Sequence, residues 1–153
     1  RHLSRAQLEA SKQNDLCLMF TVLCAQADLE IVTHNDDEAR RLLSDALSNS
    51  ERCNETDASD HYLCLSTYLS GMAYLEQTDY NRAKSEFNLS LPKAEDIRSD
   101  TMIGLNLFMI ARCQFHLNQF EEAKSHAEQS LAIFEQFGLD WAEQIRIWLR
   151  GLQ

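Results

Sequence analysis

A chain of 153 residues is long enough to bury its own core without disulfide or metal staples. Four Gly and a single Pro, Pro92, are too few for the turn chemistry of a sandwich or a doubly wound sheet, which leaves an all-α chain of long helices and short loops. The formal net charge of −10, with no run of Lys or Arg on any face, argues against direct contact with nucleic acid or an anionic membrane and favours a basic partner.

In chain order the hydrophobic period resolves seven helices. The first runs from about Ser4 to Thr33, with Ser4 and Gln7 at capping-box spacing and a break expected near Asn14. The second, about Asp36 to Cys53, sets Ala39, Leu42, Leu43, Ala46 and Leu47 on one face. The polar stretch from Asn54 to Ser59 reads as the longest internal loop. A third helix follows from about Asp60 to Gln77, and a fourth from Asp79 to Pro92, where the residue before proline should leave the helical region. Ser99 and Asp100 can cap a fifth, which runs to about Leu117. The sixth, Gln119 to Phe137, carries Phe120, Ala123, Ala127, Leu131 and Phe134 on one stripe and stops at Gly138. Asp140 and Glu143 open a seventh, amphipathic through Trp141, Ile145, Trp148 and Leu149.

Three junctions, around Asn35, Thr78–Asp79 and Asn118, turn a long apolar helix tightly into a shorter amphipathic one. Aligned on Ala39, Ala83 and Ala123, the copies repeat after 44 and 40 residues. Ala27, Gly71 and Ala111 stand twelve residues earlier in each copy, and Leu43, Phe87 and Ala127 four later. Ala46, Ser90 and Ser130 follow seven later, then Leu47, Leu91 and Leu131 at eight. Small residues facing one another let paired helices approach, and one such pair cannot bury both of its apolar faces, so copies stack.

This pattern resembles the tetratricopeptide repeat. Gly71, Tyr74, Ala83 and Phe87 have the spacing of that family's glycine, tyrosine, alanine and aromatic positions. The third copy keeps Ala111, Phe120, Ala123 and Ala127 but has Gln114 in the tyrosine place, and the first has Glu30 there. No copy has the terminal proline, and the repeats exceed the usual ~34 residues. That departure resembles the long-helix varieties found in scaffolding adaptors and in sensor domains of some bacterial regulators. The resemblance covers about Leu16 to Gly138. It implies a right-handed superhelical stack of antiparallel helical hairpins, an α-solenoid in one domain of residues 1–153, with pairs at about 4–53, 60–91 and 99–137 and an end helix at 140–152.

The resemblance also implies a function: a scaffold or adaptor that binds a peptide or helix of a partner protein in the concave groove, or else a peptide- or ligand-responsive sensor domain of a larger protein. Carried over position by position, the groove would hold Cys24, Asp28 and Ile31 in the first pair. In the second and third it would hold Tyr68, Met72, Leu75, Phe108, Arg112 and Phe115. Aromatics, Met and Arg are the residue types enriched at interface hot spots, yet a stripe of this kind is more often core covered by the next helix, with Arg112 the member expected to be exposed. The lysines and asparagines with which some relatives clamp acidic chaperone tails are missing, so such tails are not the expected ligand. Trp141, Ile145 and Trp148 on the end helix can either cap the stack or dock on another copy or on the rest of a longer protein.

Chemistry is sparse. No phosphate loop, G-x-S-x-G or H-E-x-x-H occurs, and no enzyme, cofactor or metal is expected. Cys113 and His116, three apart on one helix, are the one nucleophile–base pair to check, and His116 and His126 the one histidine pair that could meet. The odd count of five cysteines without a CxxC, together with the absence of a signal-like or membrane-spanning stretch, points to a reducing, cytoplasmic setting. The chain starts at Arg1 close to a helix, which leads us to expect a piece of a longer protein.

Overall fold

In the computed structural model the described residues are 5, 16–50, 56–137 and 141–152, and among them all regular structure is helical. The helices are α1 (Leu16–Val32), α2 (Asp36–Ser50), α3 (Thr56–Glu76), α4 (Tyr80–Asp96), α5 (Asp100–His116), α6 (Phe120–Phe137) and α7 (Trp141–Arg150). The Ser4–Gln7 capping box, the break near Asn14, the Gly138 stop and the Asp140 cap lie outside the described residues, as do Cys53 and the side chain of Leu47.

One backbone device joins α1 to α2, α3 to α4, α4 to α5, and α5 to α6. Each connection has three residues, and the middle one is left-handed: His34 (φ 63°), Thr78 (φ 59°), Arg98 (φ 55°) and Asn118 (φ 63°). The next residue donates its N–H back across the turn, Asn35 to Glu30 O (2.8 Å), Asp79 to Tyr74 O (3.0 Å), Ser99 to Ala94 O (3.0 Å) and Gln119 to Gln114 O (2.8 Å). These bonds close the end of the preceding helix and satisfy carbonyls that would otherwise be orphaned. That same residue starts the following helix, its carbonyl accepting from Ala39, Ala83, Ile103 or Ala123. Asp79 and Ser99 add side-chain caps, accepting from the N–H of Arg82 and Met102 at 3.3 Å each.

Two expected boundaries are corrected. Helix α4 continues through Pro92 to Asp96. Pro92 is exposed, so the hydrogen bond it forfeits lies on the solvent side, while buried Ala94 prolongs the inward face of Ala83, Phe87 and Ser90. Helix α3 starts at Thr56 rather than Asp60, so Thr56 to Ser59 are helical, not loop.

The chain divides into two compact units, Arg1–Leu69 and Ser70–Gln153, with the boundary inside α3. In the first, α1 packs on α2 and buries Leu23, Ala27, Ile31, Ala39, Leu43 and Ala46; Phe20 leans on Tyr62 (5.7 Å), and His61 Nε2 lies 3.4 Å from Asp28. In the second, α5 is the central helix. It packs between α4 and α6 and is buried almost all round, as its apolar sequence requires.

Four of the five aligned sets of repeat positions are buried throughout, and Leu91 and Leu131 of the fifth are half-buried. Ala27, Gly71 and Ala111 are buried, as are Ala39, Ala83 and Ala123, then Leu43, Phe87 and Ala127, then Ala46, Ser90 and Ser130. Gly71 is small because a Cβ there would stand 2.6 Å from the Phe87 ring. Gly104, which repeat spacing does not single out, has the same role one pair on: a Cβ would stand 2.8 Å from the Phe134 ring. The close approach also brings the Ser130 hydroxyl to the Gly104 carbonyl (2.6 Å). Between α4 and α5, buried Asn106 donates to Ser90 Oγ (3.0 Å), and within α5 to Met102 O (2.9 Å).

Two stability outcomes follow from this geometry. Thr78 is exposed and β-branched at a left-handed position, so Thr78→Gly should raise stability by about 1 kcal/mol, and Asn118→Gly by less, because Asn tolerates that region. Urea and thermal melts decide this, and a lower midpoint for Thr78→Gly would show that its side chain holds the turn. Gly104→Ala should destabilise by about 1–3 kcal/mol through overpacking, with partial recovery when Phe134→Leu is added. Additive losses in that double variant would remove Phe134 as the cause.

Candidate docking cleft

Helix α7 is the shortest of the described helices, with 10 residues against 18 in α6, so it covers only about 15 Å of its neighbour. Its inward side holds Trp141, Ala142 and Ile145, all buried. Trp141 stacks on Phe134 (centroids 6.3 Å apart) and meets Phe108 edge-on at 6.3 Å. Trp148 meets Phe108 (5.5 Å) and Phe115 (5.9 Å) edge-on, and Phe115 in turn meets Phe120 (5.6 Å). Such edge-to-face contacts suit the ring quadrupoles and tie α7 to α5. The outward side is polar apart from Ile147 and carries exposed ion pairs, Arg146 with Glu135 (2.9 Å) and Glu143 (3.1 Å), and Arg150 with Glu143 (3.4 Å).

Where α7 ends, the packing opens. A cleft of about 430 Å³ lies at the meeting of the C-terminal ends of α5 and α7 with the start of α6. Phe115, Phe120, Leu149 and Leu152 give it apolar walls, Gly151 adds bare backbone, and Glu121 and Lys124 line it with opposite charges. Phe120 is 51% exposed there. The volume falls within the range of ligand-binding clefts, and mostly apolar walls with few polar groups are their usual composition.

The six residues expected to form a groove differ in exposure. Tyr68, in the first unit, and Phe108, under the two tryptophans, are buried. Met72, Leu75 and Arg112 are half-buried, and Arg112 Nη1 donates weakly to Met109 Sδ at 3.5 Å. Only Phe115 of the six lines the cleft. Trp141 and Ile145 are buried inside the second unit, and Trp148 is half-buried against Phe108 and Phe115. Phe120, the first residue of α6, stands outside the buried stripe on which it was expected and is half exposed among the described residues. Its position one residue into a helix was the available signal.

The remaining chemical candidates are quiet. Cys113 is fully buried, and burial pushes its thiol up to about 11 despite nearby Arg112 and Lys84. No hydrogen bond joins it to His116 among the described residues; His116 is exposed and stacks on Tyr80 at 4.3 Å. His126 Nδ1 sits 2.8 Å from the Gln114 side-chain oxygen. Burial, and then Asp28, pushes the Cys24 thiol up to about 12. Among the described residues no three His, Cys, Asp or Glu side chains group around a common point for a metal ion. No helix among them is long and apolar enough to cross a membrane. No protein-family model matches the chain, and no curated protein matches it at a significant level.

The buried thiols make a pH prediction. A thiol whose folded value is raised releases its proton more easily in the unfolded chain, so its effect on stability is absent below pH ~9 and unfavourable above it. The urea midpoint should therefore fall as pH rises from ~9 toward the values of about 12 for Cys24 and 11 for Cys113, and fall less in Cys24→Ala with Cys113→Ala. An equal slope in both proteins would assign the loss to other groups.

Proposed function

We propose that the chain is a protein–protein interaction module, a scaffold or adaptor, and that it takes a segment of a partner protein in the α5–α6–α7 cleft. The observation that carries this is the half-exposed Phe120 ring in a cleft lined by Phe115, Leu149 and Leu152 together with Glu121 and Lys124. Large apolar side chains left open to water in a concave place are the ordinary mark of a docking site. The docking place thus shifts from the expected stripe to the end of α5, keeping Phe115. A tetratricopeptide-like, right-handed superhelical arrangement of the pairs remains part of the proposal, supported by the matching burial of the aligned positions. An intracellular setting is supported by the free, buried thiols of Cys24 and Cys113.

The test uses the chain's two tryptophans, Trp141 and Trp148, since Trp148 touches Phe115 and its emission should report occupancy of the cleft. Peptides selected from a random displayed library are titrated against three proteins: wild type, Phe120→Ser and Leu89→Ser. Leu89 is an equally exposed apolar residue on α4, outside the cleft. We expect Phe120→Ser to weaken binding by about tenfold, the effect of a modest hot spot, and Leu89→Ser to leave it unchanged. A library that yields no binders, or binders indifferent to Phe120, would overturn the proposal.

A further inference from the structure

We infer that the segment taken by this cleft is cationic, with apolar anchors seated on Phe115, Phe120 and Leu149 and a lysine or arginine set against Glu121. This rests on the docking reading above and adds the chemistry of the partner.

The charge balance at the cleft carries it. Glu121 lines the cleft and Glu122 beside it is exposed, and neither makes an ion pair among the described residues. Lys124 is the lining cation. Arg150, which could have answered Glu121 from the end of α7, is drawn to Glu143 (3.4 Å) and to the Arg146 carbonyl (3.4 Å). Lys84 on α4 is engaged with the Gln119 side-chain oxygen (3.1 Å).

The backbone adds to the same sign. Helices α5 and α7 both end at the cleft, each presenting the negative end of its dipole, whereas only α6 presents a positive end. A helix end is equivalent to about half a charge, so the two carboxylates in the first turn of α6 more than neutralise it. Lys124 offsets one of the two carboxylates, so with the three helix ends the cleft edge keeps roughly one negative charge, and the whole chain, at −10, attracts cations to it. An anionic segment would bring like charge to Glu121 and Glu122, and a neutral one would leave them unanswered.

Three synthetic amphipathic peptides test this, sharing one leucine and phenylalanine face and carrying Lys, Gln or Glu at every other position. Binding is read by tryptophan emission at low and high salt, on wild type and on Glu121→Lys, Glu128→Lys and Phe120→Ser. Glu128 is exposed on α6 and does not line the cleft, so its variant changes the net charge equally without touching the site. The Lys peptide should bind wild type about two- to fivefold more tightly than the Gln peptide, the worth of an exposed ion pair, and the gap should close in salt. Glu121→Lys should abolish the preference and Glu128→Lys should keep it. Equal binding of the Lys and Gln peptides, or equal loss of preference in both Glu variants, would overturn the cationic assignment and leave docking intact. No binding by any peptide, or binding unchanged in Phe120→Ser, would overturn the docking reading itself.

Discussion

The geometry of the chain depends on one three-residue turn used four times, with its middle residue left-handed and its last residue shared between two helices. Because that last residue closes one helix and opens the next, there is no slack in which a connection can wander. Its N–H satisfies the outgoing helix and its carbonyl the incoming one, so few backbone groups are left to water. From α4 to α6 the turns fall at 20-residue intervals, Thr78, Arg98 and Asn118. The natural unit of the second compact body is thus a single helix and its turn, and the 40-residue pair is two of them. None of the four left-handed positions is glycine, although glycine would adopt that conformation without strain. The chain sustains the strain because the packing of the flanking helices determines the path.

Small residues do the rest. Gly71 and Gly104 let aromatic rings lie against a backbone, and the serines at the equivalent places of α4 and α6 spend their hydroxyls on the neighbouring helix. Asn106 is the exception, with its side-chain oxygen buried and without a hydrogen-bond partner. An unsatisfied buried carbonyl costs about 1–3 kcal/mol, so the bond from Asn106 to Ser90 holds α4 against α5 at a price in stability.

Much of this architecture was legible in the sequence because it is periodic. Ala39, Ala83 and Ala123 mark the same buried place in each pair, and Ser99 caps α5 as its type and position predict. The misreadings were local rules overridden by packing. Pro92 should have ended α4, but the lost bond faces solvent and Ala94 has a place to bury. Gly104 was invisible as a contact residue because its partner ring, Phe134, lies thirty residues away on another helix. The cleft was legible only in part, for the same reason. Tyr68 and Phe108 have the composition of a groove, and whether such a residue is covered depends on what a later helix brings to it. For Phe108 that is Trp141 and Trp148, whose spacing announces an amphipathic helix without saying which face of the chain it will fill.

The packing of α7 then decides what is closed. Its aromatic residues complete the core over Phe108 and Phe134, while Phe120 stays 51% exposed among the described residues. Fully burying a phenylalanine side chain is worth about 1.5–3 kcal/mol, so covering the exposed half of Phe120 offers a ligand only part of that. Association costs at least about 4 kcal/mol in lost freedom before any contact is counted. The ring therefore cannot hold a partner by itself. Leu149 and Leu152 must be covered as well, and the charge at Glu121 must be met rather than merely desolvated, since a carboxylate stripped of water without a partner would cancel the apolar gain. A cleft of this size and make-up suits a weak, reversible contact whose selectivity comes from pairing the anchor with the right charge.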